Sequence, residues 1–207
     1  KLPAIHKVFI FGGLSGSNVA PGSYTLRLTL EEDSVETVVT ILANPAVKST
    51  PEDFRTQQEM LVAIENTIRD MHASVNQMRS AKKQLDAYAK LLKDNDSAAP
   101  LIKKGEALAE RINLWEEHLI QADQKTFQDV INFNNKLNAQ LIQLKSYVDQ
   151  ADPSLTNGAT KRFNDLMKDW KVYQDEHDAI IDTEMNAYNA LYKSLDIPAL
   201  ILDDKKK

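Results

Sequence analysis

The chain has 207 residues, of which 43% are hydrophobic, and its formal net charge is -5. That length is sufficient for one substantial core. Acidic and basic residues are interspersed without a clustered basic face, which argues against a nucleic-acid-binding protein. No apolar run approaches the roughly 20 residues that a membrane-spanning helix requires. The chain contains no cysteine, which excludes disulfides, zinc–thiolate sites and thiol nucleophiles within it.

The first 45 residues have the pattern of β structure. Residues 7–11 form a short strand candidate, and a loop rich in Gly and Ser follows. Pro21-Gly22 is a turn signal. From Tyr24 to Leu30 apolar and polar residues alternate, as in a half-buried strand, and residues 35–42 are rich in the β-branched residues that suit a partner strand.

Two or three strands do not make a stable sheet unless something covers them. The favoured interpretation is that residues 1–45 are the end of a truncated immunoglobulin-like β domain. The chain starts at Lys1 without a methionine or a signal-peptide pattern, so we expect a fragment or a processed product. The alternative is a hairpin that packs against the rest of the chain.

A long helix is predicted from Pro51 to about residue 94. Thr50 and Asp53 have the spacing of a capping box, and Pro51 suits the first helical position. Two heptad lines run along this segment over more than five heptads, which is a coiled-coil-like pattern. The lines comprise Phe54, Leu61, Ile68, Val75, Lys82 and Ala89, and Gln57, Ile64, Met71, Met78, Leu85 and Leu92. Such a helix needs partners of similar length.

Three further helical stretches complete a bundle over residues 46–202. The first begins near Leu101, and its periodicity blurs between residues 122 and 135, where a break or irregular turn is expected. A helix resumes from Leu137 to Val148, and after a turn over residues 152–158 the last one ends near Leu195. The predicted fold is mainly α, a long antiparallel three-leg bundle of three to four helices with a small N-terminal β hairpin or partial β-sandwich. Residues 203–207 form a charged tail.

No motif indicates a catalytic or metal centre, and we expect no cofactor. His72, His118 and His177 lack the Glu three residues earlier that a di-iron bundle requires. His177 falls on an apolar seam, where a hydrogen-bonded histidine at the edge of the core is favoured over a ligand or a pH-sensitive contact with Glu176 or Asp178. Adjacent acidic residues on a helix do not face each other, so they are assigned to solvated surfaces.

Residues 125–141 are the least generic stretch of the chain. Phe127, Ile131 and Phe133 lie where the middle leg breaks. They are expected to fill the gap, since exposed apolar patches are scarce on monomers. The alternative is an exposed contact patch for a partner.

The sequence resembles one family. Residues 21–29 (PGSYTLRLT) resemble the penultimate strand of an immunoglobulin-like domain, and Tyr24 resembles a tyrosine corner. With Asn44-Pro45, the long helix and residues 126–133 (TFQDVINF), they resemble the C-terminal region of large exported bacterial proteins. Those proteins carry sortilin (Vps10)-like β-propellers with BNR-type repeats and are often labelled glycosyl hydrolases.

The likeness covers roughly residues 20–202, and it departs at Asn132-Phe133-Asn134, where the family often has Asn-Phe-Pro. It implies an exported, periplasmic or extracellular protein whose partners are its own N-terminal domains. Any hydrolase activity belongs to a propeller that this chain lacks, so the resemblance assigns no catalytic residue to the chain.

The sequence and the resemblance are compatible with three functions. The first is a non-enzymatic accessory, spacer or docking module of a larger exported protein. The second is an accessory domain of a propeller-type glycoside-acting enzyme. The third is a homo-oligomer that forms through the long helices or an exposed β edge. An upstream propeller in the gene separates the first two from the third, and sedimentation tests the third directly.

Overall fold

The computed structural model describes Leu2, Ile5, Val8, residues 13–195 and Ile197, apart from the side chain of Phe127. Within this part the chain is mainly helical. The strands are β1 (Gly22–Leu30) and β2 (Asp33–Ile41), and the α-helices are α1 (Pro51–Leu91), α2 (Ala99–Leu119), α3 (Leu137–Val148), α4 (Asn157–Ala179) and α5 (Asn186–Ser194). Short 3-10 helices span Asp96–Ala98 and Phe127–Ile131, and a π-helical turn spans Ile180–Met185.

Helix α1 is the longest element and forms one complete leg of the bundle. The Thr50 hydroxyl accepts a hydrogen bond from the Asp53 amide at 3.2 Å, and the Asp53 carboxylate accepts one from the Thr50 amide at 2.8 Å. This capping box satisfies two backbone donors that a helix start leaves unpaired. With 41 residues, α1 is about 61 Å long at the standard rise of an α-helix.

The second leg consists of α2 and α3, which lie end to end along α1. Helix α2 covers the C-terminal half of α1, where Lys82 Nζ donates to Asn113 Oδ1 at 2.6 Å. Helix α3 covers the N-terminal half, where Gln57 Nε2 donates to the Val148 carbonyl at 2.8 Å. Both helices run antiparallel to α1. The predicted interruption of the middle leg is therefore confirmed, and it lies between residues 119 and 137.

The third leg runs from α4 through the π-helical turn into α5. It packs against α3 at its start and against α2 further along. The indole Nε1 of Trp115 donates to the Tyr173 carbonyl at 2.8 Å, which joins the second and third legs in the core. The π-helical turn keeps the leg continuous, so the predicted last helix is confirmed with one wide turn inside it. The mainly α three-leg bundle with a two-stranded hairpin is thus confirmed.

The heptad lines of α1 form the centre of the core. Ile64, Ile68, Met71, Val75 and Met78 are fully buried, and the polar member of the second line, Gln57, is also buried. Each buried aliphatic side chain contributes roughly 1.5–3 kcal/mol relative to an exposed one. No helix in the described part of the chain is both long and apolar enough to cross a membrane.

The structure corrects two expectations, and two others concern residues that lie largely or wholly outside the described part of the chain. Asn157 and Gly158, expected in a turn, form the first residues of α4, because the Thr156 hydroxyl accepts the Ala159 amide and starts the helix earlier. The hairpin does not pack against the bundle: among the described elements, neither strand contacts a helix. The strand expected over residues 7–11 lies largely outside the described residues, and so does the tail over 203–207.

Substitution of Met71 tests the core assignment. Met71→Leu conserves volume and should cost less than about 1.5 kcal/mol. Met71→Ala leaves a cavity and should cost about 2–5 kcal/mol. Urea unfolding followed by circular dichroism at 222 nm measures both, and equal costs for the two variants would contradict a packed, purely apolar role.

Gly105 of α2 lies against Tyr188 of α5. A Cβ at this position would lie 3.2 Å from Cε2 of Tyr188. Gly105→Leu should therefore destabilise the chain by about 1–3 kcal/mol through overpacking. Glu106→Leu, on the exposed side of the same helix, is the matched control and should change the free energy of unfolding by about 0.5 kcal/mol or less.

Candidate functional site

The hairpin of β1 and β2 has one apolar face and one polar face. Its register pairs Tyr24 with Val39, Leu26 with Thr37 and Leu28 with Val35. Directly paired residues lie on the same face of an antiparallel sheet, and alternate residues lie on opposite faces. One face thus consists of Tyr24, Leu26, Leu28, Leu30, Val35, Thr37, Val39 and Ile41, together called the apolar face below.

The apolar face is open to solvent. Leu28 is 70% exposed, Leu30 is 75% exposed and Val35 is 67% exposed. Contiguous exposed apolar surface of this kind marks an interaction site in soluble proteins. The two outer strand edges also present unpaired backbone groups, because the sheet has only two strands. A partner sheet could therefore stack on the face or extend an edge.

Local sequence explains why the hairpin holds its shape. The Tyr24 hydroxyl donates to the Ala20 carbonyl at 2.6 Å, which fixes the entry into β1. Arg27 and Glu36 form an ion pair on the polar face. At the tip, Glu31 has a φ of 55°, a left-handed conformation that a two-residue hairpin turn requires and that a non-glycine residue adopts at a cost.

The predicted contact residues lie on the segment between α2 and α3. Ile131 ends the short 3-10 helix and is 85% exposed. The expectation that these side chains fill the gap in the middle leg is wrong for Ile131, whereas Phe133, at 36% exposure, is largely covered. The side chain of Phe127 lies outside the described residues, so its role as a contact stays a prediction.

Other residues close the gap instead. Ile120 and Leu137 are buried at its two ends, and Gln124 and Asn138 are buried beside them. The segment is shaped by its own polar contacts. Hydrogen bonds from the amides of Lys125 and Thr126, at 2.7 and 2.9 Å, hold the pKa of Asp129 below its usual value. The exposed Ile131 is thereby displayed on a local scaffold.

The histidines lie in structural positions. His177 is buried, its ring is 5.5 Å from that of Trp115, and its Nδ1 is 3.1 Å from a carboxylate oxygen of Asp178. His177 is thus buried and hydrogen-bonded to Asp178, one of the two carboxylates that the sequence offered as its contacts. His118 stacks on Tyr173 with ring centroids 5.0 Å apart. His72 is fully buried on α1, and His6 lies outside the described residues.

Several partly buried carboxylates of the described residues are paired with arginines. Glu116 accepts a hydrogen bond from Nε of Arg79 at 2.9 Å, and Glu176 and Glu184 flank Arg111 at 3.2 and 3.6 Å. In the part of the chain that the structure covers, no three His, Cys, Asp or Glu side chains group as metal ligands. The cleft between α1 and α2 is lined by Asp86 of α1 and by Glu116 and Glu117 of α2, together with Arg79, Lys82 and Lys83.

Two clefts of several hundred Å³ lie in the described region. One of about 440 Å³ lies between α1 and α2 and is lined by residues of both signs, among them Arg79, Lys82 and Glu117. The other, of about 470 Å³, lies at the root of the hairpin and is lined mainly by small and apolar residues, including Pro21 and Phe54. The second cleft adjoins the hairpin and extends the apolar surface toward the bundle.

One polar cluster was missed by the sequence analysis. Lys145 lies on the buried face of α3, in line with Leu141 and Val148, and it pairs with Glu65 of α1 at 3.3 Å. A charged residue at a core position of an apolar helix was the available signal. Lysine is almost never fully buried unless it has a partner, so its position implied a partner that the sequence could not name.

No family model, no curated protein and no solved structure matches this chain.

Because the hairpin contacts no helix among the described elements, its apolar face should contribute little to the stability of the bundle. Leu28→Asp should change the free energy of unfolding of the helices by about 0.5 kcal/mol or less. Leu141→Ala, in the core of α3, should cost about 2–5 kcal/mol. Urea titration followed by helical circular dichroism compares the two, and a large loss in Leu28→Asp would mean that the hairpin packs on the bundle.

Proposed function

We propose that this chain is a non-enzymatic spacer and docking module of a larger exported protein. In this proposal the bundle is the rigid part, and the hairpin is the docking element. The remaining strands of an immunoglobulin-like domain of the same protein cover the apolar face. The observation that carries the proposal is the exposure of the outer part of a regular apolar sheet face, at Leu26, Leu28, Leu30 and Val35, on strands that contact no helix among the described elements.

The internal packing of the bundle supports a spacer role. The heptad lines of α1 are buried against α2 and α3 within one chain. A coiled coil between chains through the same lines would require this core to open. Homo-oligomerisation through the long helices is therefore disfavoured, and the hairpin is the surface left for association.

The size of the apolar face indicates what kind of partner suits it. Two strands of nine residues give a face roughly 30 Å long and 10 Å wide, or about 300 Å². A stable interface between separate proteins buries about 800 Å² on each partner. Stacking with a second copy falls short of that area. Strands within the same polypeptide need no such area, because the covalent link supplies a high effective concentration.

The resemblance noted in the sequence adds the remaining parts of the proposal. The strand of residues 21–29, with Tyr24 bound to the Ala20 carbonyl, has the features of the strand that carries a tyrosine corner. In the proteins that it resembles, such strands follow a β-propeller in an exported protein. A glycoside-acting function would belong to that propeller, since the carboxylates described here are engaged by basic residues or face solvent.

Cysteine labelling in two contexts tests the proposal, because the chain itself has no cysteine. Leu28→Cys on the apolar face and Thr29→Cys on the polar face are made both in this chain and in the protein encoded by the complete gene. In the chain alone, both should react rapidly with N-ethylmaleimide. In the complete protein, Leu28→Cys should become protected, while Thr29→Cys should remain reactive.

Peptide mapping by mass spectrometry reads the extent of labelling at each site. Equal reactivity of Leu28→Cys in the two contexts would contradict the proposal. A complete gene that encodes no β strands before this chain would overturn it as well. Protection of both positions would mean that both faces of the hairpin are covered. That result would contradict the proposal, in which a sheet stacks on the apolar face alone.

A further inference from the structure

The segment that leads into the hairpin lies on the surface of the bundle. Residues 13–20 carry no regular secondary structure, and β1 begins two residues after they end. Four side chains from α1 and the C-terminal end of α3 hold this segment: Gln58, Glu65, Lys145 and Asp149. The contacts join residues 40 to 131 positions apart in sequence, so they are tertiary contacts and not local turn structure.

The inner half of this attachment is a buried charge cluster. Nζ of Lys145 donates to the Ser15 carbonyl at 2.5 Å and lies 3.3 Å from the Glu65 carboxylate. The same carboxylate accepts the Ser17 amide at 2.8 Å and the Ser17 hydroxyl at 2.6 Å. The side chain of Lys145 is only 6% exposed. A buried ammonium is tolerated only while its partners are in place.

The outer half holds the next residue of the segment from both sides. Asp149 accepts the Asn18 amide and the Asn18 side-chain amide, both at 3.1 Å. Gln58 donates to the Asn18 carbonyl at 2.9 Å. The main chain of residues 15–18 is thus bound through carbonyl and amide groups alike, in the manner in which an extended peptide is bound.

This attachment fixes the position of the chain just before the hairpin. Only Val19, Ala20 and Pro21 separate Asn18 from β1, and the Tyr24 hydroxyl fixes the Ala20 carbonyl. The other end of the hairpin leads into α1 through residues 42–50, which include a turn closed by Asn44. Since neither strand contacts a helix in the described structure, the two ends alone set the direction in which the hairpin projects.

We propose that residues 15–18 with Gln58, Glu65, Lys145 and Asp149 form a clasp that fixes the direction of the hairpin and that acid releases. The clasp goes beyond the docking function proposed above. It would orient the hairpin in the same way regardless of which partner covers the apolar face. When it is closed, the hairpin is a rigid extension of the bundle. When it is open, the hairpin is attached through residues 42–50 at one end and through Leu14, which packs against the core, at the other. The chain between Leu14 and β1 is then free to change direction, and the hairpin turns over a wider range.

The charges explain why acid acts on the clasp. Burial raises the pKa of Glu65, but the hydrogen bonds from Ser17 and the contact with Lys145 outweigh burial and leave that pKa below its usual value. The groups that face the segment from α3 are Lys145 and Asp149, and α1 adds the neutral Gln58. Protonation of Glu65 removes the acceptor of the Ser17 hydrogen bonds and leaves the buried Lys145 ammonium without its counter-charge.

The sign of the effect follows from the lowered pKa of Glu65. A carboxylate with a lowered pKa in the folded state stabilises that state above its unfolded pKa, about 4.3 for glutamate. The stabilisation is lost as the pH falls through the lower pKa of the folded state. The clasp is therefore closed at neutral pH and opens in acid, at a pH below the unfolded-state pKa of glutamate.

Pulsed electron–electron resonance tests the clasp in the full chain. Spin labels are placed at Glu32→Cys on the hairpin tip and at Lys83→Cys on the exposed side of α1. At neutral pH the distance distribution should be a single narrow peak. In Glu65→Gln that peak should be lost to a broad distribution. Glu59→Gln, an exposed carboxylate on the same helix that pairs with Arg55, is the matched control and should keep the narrow peak.

A second variant guards against loss of folding in Glu65→Gln. Ser17→Ala with Asn18→Ala weakens the clasp without leaving a buried charge unpaired, and it should broaden the distribution while the helical circular dichroism stays unchanged. A narrow peak in both variants would overturn the proposal. Broadening in acid that occurs only together with loss of helical signal would overturn its acid-release part.

Discussion

The burial of one long apolar stripe determines the rest of this structure. Helix α1 carries two heptad lines over about 61 Å, and its apolar side chains cannot remain in water. Helix α2 alone, with 21 residues, is too short to cover them. The chain therefore places α2 and α3 end to end along α1, and the irregular segment between them is a consequence of that arrangement. The third leg then packs against both α2 and α3 and covers the apolar side chains that α1 leaves open on them.

The heptad pattern was the feature that made the fold predictable from sequence. Apolar spacing fixed the legs, Thr50 and Pro51 marked the start of α1, and the Asn-rich region marked the interruption before Leu137. Each of these signals lies within the element that it predicts, so the element can be recognised without knowing what it packs against. The hairpin was predictable for the same reason, since alternation in β1 and the β-branched residues in β2 share one period.

The features that could not be predicted depend on which elements meet. Ile131 looked like a core residue because the segment around it is apolar, yet its position at the end of a 3-10 helix turns it outward, while the polar Gln124 and Asn138 are buried in the same region. Lys145 falls in line with the core positions of α3, but its partner Glu65 on α1 is visible only in the folded chain. Asn157 and Gly158 looked like a turn, but the Thr156 cap extends α4 over them.

These observations divide the molecule into a part that is complete and a part that is not. The bundle buries the heptad lines of α1, and its buried Lys145 is paired with Glu65. The hairpin satisfies its own backbone between the strands but leaves its apolar face in water. An isolated two-stranded hairpin is only marginally stable, so this hairpin would gain stability from a partner that covers its apolar face. In the proposed function the bundle is the support and the hairpin is the surface offered to that partner.

Hydrogen exchange of the intact chain, followed by mass spectrometry, measures this contrast most directly. The account predicts that peptides from the centre of α1 exchange only through global unfolding, while peptides covering Gly22–Leu30 and Asp33–Ile41 exchange orders of magnitude faster. Hairpin peptides protected as strongly as those of α1, in the chain alone and at a concentration where it is monomeric, would contradict it.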